Sequence, residues 1–230
     1  MVDALLKNKI IDSRNEELWN SLVDKYDISV NVIDSDGSQI IREGNKVSLK
    51  LAPFQVDVSI FTHELLHLWL WDNGRDFVNS IQIFLNTIDC NKVHDLFKDG
   101  FDYTMSNLVD HILMRKEYEK MGYERSKFLP NKNAIIDSID EIVSFCQICK
   151  KYEVGYDRAF IIFLLSIYEH KYTEEGYSNI LRMLENTNKE LFDLITGFIN
   201  NLQDRVSQLS YDSCVSFLLN DLDDYYSSQC

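Results

Sequence analysis

Residues 47–74 read VSLKLAPFQVDVSIFTHELLHLWLWDNG. Two periodicities meet in this stretch. Val47-Ser-Leu-Lys-Leu51 alternates apolar and polar residues, the period of a half-buried strand. Pro53 ends that strand and suits the first turn of a helix. From about 54 to 73 the apolar residues no longer alternate. Ile60, Phe61, Leu65, Leu66, Leu68 and Trp69 crowd the segment, and it stops at Asn73-Gly74, a common helix-ending pair. A helix this apolar is buried on most of its faces.

Working outward, residues 14–25 have helical spacing and Ile28-Ser-Val-Asn-Val-Ile33 alternates as a strand. Asp34-Ser-Asp-Gly37 is a turn signal, from which Ser38–Ile41 returns as a second strand. Downstream of residue 74 only helical pattern follows, over about 76–88, 91–98, 103–121, 133–151, 156–171, 174–185, 187–202 and 205–222. The order predicts an α+β fold with a small antiparallel or mixed sheet, then an all-helical C-terminal region. Phe128-Leu-Pro-Asn-Lys132 is the plausible internal boundary. It separates a core of residues 1–131 from a helical region of 132–230, whether or not the two pack as one domain.

Composition narrows the function. The chain has 230 residues, 45% of them hydrophobic, and only two prolines, the profile of a folded and helix-rich protein. A net charge of −14 argues against nucleic acid as the main partner and against an anionic membrane surface. The most apolar run, Phe160–Tyr168, is about half the ~20 residues of a membrane span and is flanked by Arg158 and Glu169. It reads as a buried helix. The first residues, MVDALLKNKIID, lack the pattern of a signal peptide, so the expectation is a cytoplasmic protein away from membranes. Five cysteines at uneven spacing form no disulfide framework. Cys146 and Cys149 make a CxxC, which with no second CxxC and no preceding strand reads as two small apolar residues one turn apart.

His63, Glu64 and His67 carry the chemistry. On a helix, residues four apart share a face, so both imidazoles can bind one zinc ion. Glu64 points to the neighbouring flank, where it can reach a water on the metal and take its proton. The plainer reading, two core histidines satisfied by carbonyls, accounts for neither the spacing nor the glutamate between them. Calcium is not indicated, since no loop has the spaced oxygens of an EF-hand. Nor is there a glycine-rich phosphate loop.

With these residues, and with the strand-then-helix order over roughly 14–121, the chain resembles the zincin metallopeptidases. In layout it is loosely similar to compact intracellular peptidases of the ImmA/IrrE type. The resemblance implies a strand beside a cleft, a second helix with a third zinc ligand, and peptide-bond hydrolysis by a glutamate-activated, zinc-bound water. The HExxHxxGxxH variant is absent, because Leu70 stands at the glycine position and Asn73 follows.

The third ligand lies elsewhere. His111 is the first choice, with Asp110 or Asn107 orienting a ligand histidine. Asp110 itself is the second choice, ahead of His94, Glu117 and Glu119; His170 sits on the far helical part. Tyr118, Tyr103 and Tyr123 are candidates for oxyanion stabilisation, weakly so in a chain with twelve tyrosines. The acidic stretch Asn220–Tyr226 reads as a solvated helix end. Together these readings predict a zinc peptidase acting on a specific protein partner. The alternative is a non-catalytic module of the same fold, with a structural or vestigial metal and a partner-binding helical region.

Overall fold

The computed structural model describes residues 4–34, 37–128, 139–170, 175–204 and 210–228. Outside them lie the centre of the expected 34–37 turn, residues 129–132 of the expected boundary, and the first parts of the helices expected over 133–151 and 205–222. The fold is α+β, a small mixed sheet followed by helices. The chain divides into two units, residues 1–74 with 114–131, and residues 75–113 with 132–230. The sequence reading drew a single division, at 131.

The first unit contains α1 (Ala4–Ile10), α2 (Glu16–Val23), β1 (Asp27–Val32), β2 (Gln39–Glu43), β3 (Lys46–Leu51), a 3-10 turn (Pro53–Gln55) and α3 (Val58–Asp72). Strand order is β1-β3-β2. β1 runs parallel to β3, with Ile28 opposite Val47 and Val30 opposite Leu49. β2 runs antiparallel to β3, with Ile40 opposite Leu49. The hairpin is therefore β2–β3, joined at Gly44-Asn45, and not the β1–β2 return suggested by Asp34–Gly37. Gly44 takes φ +63°, which glycine adopts without penalty in so tight a link. The strand that leads into α3 is central in the sheet. Burial gives the reason. Val47, Leu49 and Leu51 are all buried, whereas β2 is mostly exposed, as a sheet edge can be.

α3 begins later than the sequence suggests. After the Pro53 turn, Asp57 is extended and its side chain accepts the Ser59 N–H, a cap that restarts the chain as a helix at Val58. Gly74, at φ +70°, ends it. Phe61, Leu65, Leu66, Leu68 and Leu70 are fully buried. α1, α2 and β2 pack against the helix. Phe61 meets Trp19 of α2 with ring centroids 5.6 Å apart. Asn15, itself buried, donates to Thr62 Oγ1 and to the Ile10 carbonyl, both at 2.9 Å, tying the α1–α2 turn to α3.

The long helix α6 (Phe101–Lys120) runs through residue 114, where its C-terminal turns join the first unit. The second unit is otherwise helical, with α4 (Phe77–Leu85), α5 (Asn91–Leu96), α7 (Ile139–Ile148), α8 (Val154–His170), α9 (Glu175–Thr187), α10 (Lys189–Asp204) and α11 (Tyr211–Ser227). α11 packs on α4, α5 and α10. The acidic stretch at 220–226 is its C-terminal part, with Asn220, Asp221 and Asp224 exposed as a solvated helix end has them and Leu222, Tyr225 and Tyr226 buried on the other side. Among the described residues no helix is long and apolar enough to cross a membrane. Cys146 and Cys149 are half-buried, and burial pushes the Cys149 thiol up to about 11, opposite to the shift a thiolate ligand needs.

Two polar devices hold α8. Arg158 donates from Nε to the Leu96 carbonyl, the last of α5, and from a guanidinium nitrogen to the Lys98 carbonyl in the turn after it, both at 2.8 Å. Asp157 is fully buried, and Tyr225 and Tyr226 donate to its two carboxylate oxygens at 3.2 and 2.9 Å. Asn188 donates to the Tyr225 hydroxyl at 2.8 Å. Burial pushes the Asp157 carboxyl up to about 6, against the two tyrosine hydrogen bonds and the nearby Lys92. The folded state thus holds this proton more tightly than the unfolded chain, where the ordinary value is 3.8. Its contribution to stability is present at about pH 4 and is lost as pH rises to about 6, by roughly 2 kcal/mol. Asp157→Asn should remove that fall, read as the wild-type-minus-variant difference in urea midpoints across this window.

Candidate metal centre

α3 sets His63 and His67 one turn apart, with ring centroids at 5.1 Å and planes 69° apart. His67 is buried; His63 is half-buried with its Nδ1 shielded from solvent. The His63 ring lies against Phe128, centroids 4.9 Å apart, and Phe128 packs edge-on to Tyr118 at 5.0 Å. Tyr118 in turn contacts Tyr123 at 5.0 Å. This aromatic wall restricts the His63 ring on one side. Glu64 is buried on the same helix, and burial pushes its carboxyl up, partly offset by His67.

His111 is carried by α6 and is buried. Its Nδ1 is hydrogen-bonded to Glu169 Oε1, at the C-terminal end of α8. His63, His67 and His111 each offer one ring nitrogen such that these atoms lie within 4.8 Å of one another. Zinc binds imidazole nitrogen at about 2.0–2.1 Å, so two nitrogens on one ion are at most about 4.2 Å apart. Three imidazoles, one of them carrying a carboxylate on its second nitrogen, are a donor set suited to zinc.

The other candidates sit differently. Asp110 is buried, and it raises the Tyr211 hydroxyl pKa, second to burial itself. It is not part of the three-histidine group. Asn107, expected to orient a ligand histidine, is exposed. His94 Nε2 lies 2.8 Å from the Ile88 carbonyl. Glu117 pairs with Lys120 at 2.5 Å, and Glu119 is exposed. Of the tyrosines, Tyr103 is exposed and Tyr123 donates to Asp12 at 3.2 Å, while Tyr118 is buried and pushed up to about 12 by that burial. The side chain of His170 is outside the described set.

Sequence reasoning missed Glu169. It noted the residue only as the charged flank of the apolar run at 160–168. A carboxylate on a helix with so little solvent-facing surface was the available signal. In comparisons with protein-family models, with curated proteins and with solved structures, nothing matches this chain.

Proposed function

We propose that the chain is a zinc-dependent metallopeptidase in which His63, His67 and His111 hold the metal and Glu64 is the general base. The observation that carries this reading is the meeting of the three histidine nitrogens within 4.8 Å, on helices that bury them beside a buried glutamate. Zinc held there would lower the pKa of a water ligand and polarise the scissile carbonyl. Glu64 takes a proton from the attacking water and returns it to the amine nitrogen as the carbon–nitrogen bond breaks. We place the protein in the cytoplasm, on its cysteine usage, and take one protein or peptide partner as its substrate.

Among the described residues the group has three protein ligands, the number of a catalytic zinc site, whereas a structural site has four. That favours an enzyme over a module with a structural metal. Metal content of the purified protein is the test. Wild type loaded with zinc and then desalted should retain about one ion per chain, and His63→Ala should lose it. A wild type that retains none would overturn the proposal.

A further inference from the structure

We infer that Glu169 is a positioning residue of the metal centre, fixing the tautomer and ring orientation of His111 so that Nε2 faces the metal. The inference rests on the zinc reading above and gives the late helices a part in it. Glu169 is 58 positions from His111 in sequence, and the two side chains are each 7% exposed. A carboxylate so buried needs donors, and His111 Nδ1 is in hydrogen-bond contact with it, which a proton on that nitrogen satisfies. A neutral imidazole carries one proton. When that proton sits on Nδ1, the lone pair is on Nε2, and the carboxylate makes that nitrogen a stronger ligand.

The bond also fixes the ring's rotation about its Cβ–Cγ axis. Asn107, one of the two groups first expected in this role, is exposed. Glu169 is well supported. Its helix is clasped at the other end by Asp157 and Arg158, and Phe160, Ile161, Leu164 and Leu165 have no exposed surface. A ligand oriented from a rigid helix is held closely enough for metal binding.

The test uses the full chain. In metal-free wild type, two-dimensional 15N NMR of the imidazoles at mildly alkaline pH should show His111 protonated at Nδ1. Cobalt and zinc titrations should then show Glu169→Gln binding about 10- to 100-fold more weakly, with Glu169→Asp recovering part of the loss. A purely structural role would lower the unfolding midpoint of Glu169→Gln and leave metal affinity unchanged, which would overturn the inference. So would an Nε2–H tautomer, which is read in wild type and needs no variant to fold. A wild type that binds neither metal sinks the zinc reading instead, and leaves the tautomer to decide the role of Glu169 towards His111.

Discussion

Glu64→Gln should lower peptide hydrolysis by about 10²- to 10⁴-fold while zinc content stays at the wild-type level. Glutamine keeps the shape and the burial, and it removes the one function proposed for the carboxylate, accepting a proton. The fold should tolerate the change. Burial already disfavours the charged form of Glu64, so a neutral side chain of the same shape suits the site. Cleavage is read as new N-termini appearing in a mixed peptide pool, followed by mass spectrometry, with zinc measured on the same samples. Wild-type cleavage by the variant would remove Glu64 from the mechanism. Loss of zinc along with activity would show that Glu64 supports the metal and is not the base.

The second large effect is on stability. Phe61→Ala should cost about 3–5 kcal/mol. Phe61 is fully buried, it packs on Trp19, and it lies two residues before His63 on a different face of α3. Truncation leaves a cavity under the helix, which then shifts or loosens. Zinc affinity should fall as well, because ligand placement tolerates only about 0.5 Å of error. His63→Ala should do the reverse, removing zinc binding while leaving the metal-free protein near wild-type stability. Urea unfolding of both variants with a chelator present separates the two. If Phe61→Ala costs less than about 1 kcal/mol, the apolar face of α3 is not what holds the histidines.

Much of the architecture can be read in the residues because it is local. The alternation at 28–33 and 47–51, the Asn73-Gly74 stop and the helical spacing after residue 74 each depend on neighbours a few positions away. The errors share one cause. Asp34–Gly37 carries as good a turn signal as Gly44-Asn45, and only the partners available to β3 decide which is the hairpin. The number of buried residues on β3 is legible, but its central place in the sheet is a matter of pairing. Within Asn220–Tyr226 the acidic residues are solvated as they look, but that Tyr225 and Tyr226 donate to Asp157, about 70 positions away, has no local sign.

The candidate centre divides along the same line. By itself the sequence determines that His63, Glu64 and His67 occupy one buried helix, with both histidines on one face, because a 3.6-residue period and a dense apolar composition are local facts. His111, more than forty positions on, and Glu169, further still, carry no such mark. A histidine or glutamate within an apolar helix looks the same whether it meets a carbonyl, as His94 does, or another ionisable side chain. Only tertiary packing decides that, since burial makes each polar group take whichever partner the neighbouring helices bring to it.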